Sequence, residues 1–113
     1  MHEMALCEGI IEIVEQEARR RSFSKVRTVC LEIGALSHAA PEAMRFCFEA
    51  VAARTVANGA VLKVEKLPGI AWCMGCSRSV EIAQRYEPCP CCGSYQLHVT
   101  AGEEMRVKEL EVD

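Results

Sequence analysis

Cys73-Met74-Gly75-Cys76 and Cys89-Pro90-Cys91-Cys92-Gly93, separated by twelve residues, carry five of the chain's eight cysteines and decide how the rest is read. Each pair sets two thiols two residues apart, so that one tight turn aims both sulfurs at a single ion. Two such turns supply the four thiolates of a tetrahedral, all-sulfur Zn²⁺ site. Cys89 and Cys91 are too close together to form the same turn. The expected ligands are therefore Cys73, Cys76, Cys89 and Cys92, with Cys91 left over as a bystander. Gly93 suits the positive φ that often follows a knuckle.

Two other uses of the cysteines compete with zinc. Eight cysteines in a short chain fit a disulfide scaffold. The start Met1-His2-Glu3-Met4 lacks the basic, apolar and small-residue segments of a signal peptide, so a cytoplasmic location with reduced thiols is expected. A thioredoxin-type redox pair normally occurs once, at a strand-to-helix junction, whereas here the motif is doubled across a short segment.

The 113 residues allow one modest core and a metal-stapled module. Half are apolar and only 5% aromatic, so the core is expected to be aliphatic, and no run is long enough to span a membrane. The net charge of −3 arises in the tail, where five acids after residue 101 meet only Arg106 and Lys108. The cysteine module carries Arg78 and Arg85 against Glu81 and Glu87, without the basic stripe that phosphate neutralisation requires. Neither a nucleic-acid nor a membrane partner is expected.

Outward from the module, residues 4–21 repeat Leu6, Cys7, Ile10, Ile11, Ile13, Val14 and Ala18 at helical steps. Acids precede bases along this helix, and Glu15–Arg19 and Glu17–Arg21 are spaced for i,i+4 pairs. Gly9 inside it suggests a close packing contact. Val26–Ile33 alternates as a strand with one buried face, Val29, Leu31 and Ile33 against Thr28, Cys30 and Glu32, and Gly34 ends it. Pro41 opens a second helix with the stripe Met44, Cys47, Phe48, Val51 and Thr55, widened by Phe46 and Ala50. Asn58-Gly59 is expected to stop it. Residues 60–67 form a second strand and residues 105–112 a last one. In the last strand the apolar positions change parity between Val107 and Leu110, for which a β-bulge near Lys108-Glu109 is expected.

The order helix, strand, helix, strand, cysteine module, strand defines an α+β fold. Two helices pack on a small three-stranded sheet, with a zinc ribbon inserted before the last strand. Residues 1–68 with 102–113 are expected to form one domain and residues 69–101 the ribbon. No nucleophile–base signature or phosphate loop accompanies the three histidines, so no catalytic residue is expected.

The chain start offers different chemistry. Met1 should persist before the bulky His2, and its α-amine, the His2 amide nitrogen and the His2 imidazole can chelate one ion in fused rings. Such nitrogen-rich, near-planar coordination favours Ni²⁺ or Cu²⁺. From the residues alone, an uninvolved chain end is the plainer reading.

Met1-His2-Glu3, the run Leu31-Glu32-Ile33-Gly34-Ala35-Leu36-Ser37, Phe46-Cys47-Phe48-Glu49 and the doubled Cys-x-x-Cys follow in order. Together they resemble the HypA/HybF nickel metallochaperones of NiFe-hydrogenase maturation over the full length. The resemblance reverses the reading of His2. It implies Ni²⁺ bound by His2 with the Met1 amine and supported by Glu3, in a nickel-binding domain formed by residues 1–68 and 102–113. It also implies structural zinc on the four knuckle cysteines. The expected function is delivery of nickel to the hydrogenase large-subunit precursor, with a hydrogenase maturation GTPase as partner and no enzymatic activity of its own. A monomer or weak homodimer is expected. Some relatives carry histidines beside their knuckles, whereas Ser77-Arg78 and Gly93-Ser94 stand here. His98 and His38 are expected to be surface or packing residues.

Overall fold

The computed structural model describes residues 3–113, so the expected nickel ligands Met1 and His2 lie outside the described residues. The elements in order are α1 (Glu3–Arg21), β1 (Val26–Gly34), α2 (Pro41–Ala52), β2 (Val61–Leu67), β3 (Gly69–Cys73), β4 (Arg78–Ile82), β5 (Leu97–Ala101) and β6 (Met105–Val112). The expected α+β order holds, with β2-β1-β6 as the three-stranded sheet and the cysteine module between β2 and β6. The module contributes a second three-stranded sheet, β4-β3-β5, which the cysteine spacing did not reveal. The chain divides into two compact units. One is the chain through Leu31 with Ala39–Val64 and Val107–Asp113, and the other is Glu32–His38 with Glu65–Arg106.

In the first unit α1 and α2 pack together. Helix α1 buries Cys7, Ile10, Ile11, Val14 and Ala18, the predicted stripe apart from Leu6 and Ile13. Ile13 is 47% exposed and lies off the packed face. Ser22 at φ 60° and the Phe23 N–H on the Ala18 carbonyl, at 3.2 Å, end the helix as a Schellman turn. A Cβ at Gly9 would meet nothing within 4 Å, so the packing contact expected of this glycine is absent. The ion pairs also differ from expectation. Arg20 Nε reaches Glu17 at 2.7 Å, an i,i+3 pair, while Glu15 accepts the Val56 N–H at 3.2 Å.

Helix α2 begins at Pro41 as expected but ends at Ala52, six residues before Asn58. Thr55 accounts for the early stop. Its hydroxyl donates to the Ala52 carbonyl at 2.9 Å and accepts the Ala57 N–H at 3.1 Å, drawing the backbone into successive turns. Met44, Phe48 and Ala52 form the buried face of α2. Phe46 is 76% exposed, and Ala50 is exposed too, so neither widens that face.

Strand β1 is the middle strand of its sheet, and its burial is not one-sided. Val26 and Thr28 are buried on one parity and Val29, Leu31 and Ile33 on the other, so both faces of the strand are covered. Glu32 is also buried and accepts a hydrogen bond from Arg106. In strand β6, Met105, Val107 and Leu110 are half-buried while Lys108 and Glu109 are both exposed. The apolar positions of β6 thus change parity where the sequence places the change, between Val107 and Leu110.

In the second unit β3 pairs antiparallel with both neighbours, Cys73 lying across from Arg78 on β4 and from Leu97 on β5. One face carries Ala71, Cys73, Val80 and Ile82 into a core with Leu36 and Cys89. The expected ribbon, residues 69–101, lies wholly within this unit, together with residues 32–38, 65–68 and 102–106. Gly34 ends β1 where backbone meets backbone: a Cβ there would lie 2.0 Å from the Gly102 carbonyl oxygen.

Candidate metal centre

Two equivalent turns build the cysteine cluster. The Ser77 N–H donates to the Cys73 carbonyl at 2.9 Å, and the Gly93 N–H donates to the Cys89 carbonyl at the same distance. Each turn closes with the residue after its second cysteine at positive φ, 52° at Ser77 and 77° at Gly93. The positive φ expected at Gly93 is present, and the first knuckle achieves it with a serine. The Met74 N–H on the Gln96 carbonyl and the Cys89 N–H on the Ser94 carbonyl, at 2.9 Å and 2.8 Å, tie the knuckles into the module.

This arrangement brings the Sγ atoms of Cys73, Cys76, Cys89 and Cys92 within 4.8 Å of one another. Cys73 and Cys92 are 3.6 Å apart, and Cys76 and Cys89 are 3.8 Å apart. A zinc ion with Zn–S bonds of about 2.3 Å has tetrahedral sulfur–sulfur edges of about 3.8 Å. The donor set therefore fits Zn²⁺ in size as well as in softness. Gly75 makes room for it, since a Cβ there would stand 3.2 Å from Cys92 Sγ and 2.9 Å from Ser94 Cβ. Cys73 and Cys89 are buried in the module core, Cys76 is half-buried and Cys92 is exposed. The site is seated on apolar packing with one edge open to solvent.

The backbone already favours a thiolate here. The N–H of Cys92, and after it that of Cys91, holds the Cys89 thiol down to about 6. Burial and the neighbouring thiols push Cys76 up to about 12. Four negative sulfurs cannot share so small a volume without a cation, and a bound dication removes the conflict by displacing the remaining protons. Cys91 is exposed and lies outside the four-sulfur group. Its contribution is the N–H placed 3.4 Å from Cys89 Sγ, a backbone role indifferent to its side chain.

Of the remaining expected site residues, Glu3 opens α1, and its carboxylate accepts the Ala40 N–H at 3.2 Å, tying the start of α1 to the residue that precedes α2. One turn on, the buried Cys7 thiol donates to the Met44 carbonyl at 3.3 Å. Burial, with Cys47 and Glu3 nearby, pushes Cys7 up to about 11, so it stays protonated as a packing group. Sequence periodicity placed Cys7 in the core without revealing this contact. His38 and His98 are both exposed, and His98 lies across from Trp72 on β3. Neither belongs to a cluster of three or more metal-ligating groups among the described residues.

Fold and site define a small metal-binding α+β protein, its described ligands closed around one ion position. The family model for HypA, described as "Hydrogenase/urease nickel incorporation, metallochaperone", matches residues 1–112. Hydrogenase maturation factor HypA 2 of Bradyrhizobium diazoefficiens is 76% identical over 113 residues, covering all of both chains. Hydrogenase maturation factor HypA of Azotobacter chroococcum is 54% identical over the same full length. The solution structure of the Ni metallochaperone HypA from Helicobacter pylori matches with a TM-score of 0.71 at 27% identity, covering 99% of this chain and 97% of that one. The chain belongs to the HypA family, whose members are metallochaperones for nickel incorporation and not enzymes.

Proposed function

We propose that this chain carries Ni²⁺ at its N-terminus and delivers it to the NiFe-hydrogenase large-subunit precursor in the cytoplasm, together with the maturation GTPase. His2 and the Met1 amine supply the ligands. Glu3 supports them by fixing where α1 begins. The nickel-binding domain is formed by residues 1–68 and 102–113, and the ribbon of residues 69–101 holds structural zinc on Cys73, Cys76, Cys89 and Cys92. The family match beginning at residue 1 and described as nickel incorporation carries this reading. The chemistry agrees with it: a closed tetrathiolate shell retains its ion, whereas a terminal chelate of amine, amide and imidazole can release one.

Nickel transfer tests the proposal. Protein loaded with one equivalent of Ni²⁺ is mixed with purified large-subunit precursor and the GTPase, and nickel in the re-isolated precursor is measured. The native chain should load the precursor, whereas His2→Ala, equally folded and equally zinc-replete, should not. Equal loading by His2→Ala would exclude His2 as the carrier.

A further inference from the structure

Sheet β4-β3-β5 of the second unit has one covered face and one open face. Ala71, Cys73, Val80 and Ile82 belong to the module core, so Ile70, Trp72, Ser79 and Glu81, which alternate with them, belong to the opposite face. Trp72 is the chain's one tryptophan, and it stands on the middle strand, 41% exposed. Its cross-strand partners are Ser79 on β4 and His98 on β5, both exposed. An outward sheet face is ordinarily polar, and Ser79, Glu81 and His98 keep to that rule. Trp72 breaks it at the centre. Left open, the indole forgoes much of the burial that would stabilise the module. Tryptophan is among the residues that most often anchor protein interfaces.

Beside the indole lies the charge that selects a partner. Glu81 is across from Ile70, two residues along β4 from Ser79, and so holds the diagonal position next to Trp72 on the same face. It is exposed, and its carboxylate has neither a hydrogen bond nor an ion pair with another described residue. No lysine or arginine of the three strands shares this face: Arg78 lies on the other parity, across from Cys73. Arg85, the next base along the chain, is committed to Glu103.

An aromatic plane beside an unpaired carboxylate is complementary to a cation that is itself flat. A guanidinium meets both conditions, since it stacks on an indole and forks its N–H groups onto a carboxylate. An ammonium pairs with the carboxylate but has no plane to stack. A phosphate backbone finds no counter-charge on this face.

We propose that the open face of β4-β3-β5 docks a segment of another protein through an arginine, its guanidinium stacked on Trp72 and paired with Glu81, with His98 flanking the indole on the β5 side. Random short peptides displayed on phage and selected on the full-length, zinc-loaded chain test this. The selected peptide is then synthesised with a fluorescent label and its affinity measured by anisotropy. Selection should converge on an arginine. Replacing that arginine by citrulline, which keeps the plane and removes the charge, should weaken binding by about tenfold or more. Replacing it by lysine should weaken binding less, since the charge stays and the stacking goes. Glu81→Gln and Trp72→Ala, each shown to hold one zinc per chain, should each weaken binding of the arginine peptide by about tenfold or more. Because Trp72 is the chain's one tryptophan, its emission should change as unlabelled peptide is added to the native chain. Four results would overturn the proposal: a selection that converges on nothing, a consensus that is acidic or without charge, a citrulline peptide that binds as tightly, or native affinity in either variant.

Discussion

Ser77 and Gly93 hold matching places in the two knuckles, and both have positive φ although only one is a glycine. Each backbone N–H is committed to the first cysteine of its own turn, which fixes where the second cysteine points. Residue identity thus matters most at the four sulfurs and at the neighbours that clear space for them. Cys91 shows the contrast: its N–H serves Cys89, while its thiol stands outside the group. Cys89→Ala removes one tetrahedral ligand and should release zinc and loosen the module, since binding and local folding are coupled. Cys91→Ala should retain one zinc per chain with native affinity, measured by competition with a chromogenic chelator. Zinc loss from Cys91→Ala would contradict the ligand assignment.

Helix α1 shows what an element owes to its sequence and what it does not. Its apolar spacing, its acid-to-base polarity and its Schellman end agree on one helix, yet Gly9 sits within it beside open space. Gly9→Ala should therefore stabilise the chain by about 1 kcal/mol, read from chemical denaturation, because the helix gains propensity and nothing is displaced. An unchanged or lower stability would mean that Gly9 serves a contact or motion outside the described residues. The elements were legible because periodicity reports a helix or a half-buried strand directly, and the knuckles because ligand spacing is a local property. What escaped was decided by partners distant in sequence. Thr55 ends α2 through hydrogen bonds to residues on either side of it, and Glu15 abandons Arg19 for the Val56 N–H. Burial covers both faces of β1, the middle strand of its sheet, which its one-sided alternation did not anticipate. The second sheet was hidden because β3, β4 and β5 are each only five residues long, too short for their alternation to stand out between the cysteines.

For the whole molecule, the two compact units suit different tasks. The second unit holds four cysteines whose sulfur spacing matches a zinc ion, two of them buried in its core. A site of that kind stabilises a fold and offers no vacant position to a transferred ion. The first unit holds its helices together through Glu3 and Cys7, near the end of the chain where His2 stands. On this account nickel traffic belongs to the N-terminus and zinc to the knuckles, and the two metals should respond to separate changes. The most direct test is a Ni²⁺ titration, followed by calorimetry, of three zinc-loaded proteins: the native chain, His2→Ala, and a chain extended by a few residues before Met1. The account predicts tight one-to-one nickel binding for the native chain alone, with zinc content equal in all three. Tight binding by the extended chain would contradict a site built on the Met1 amine.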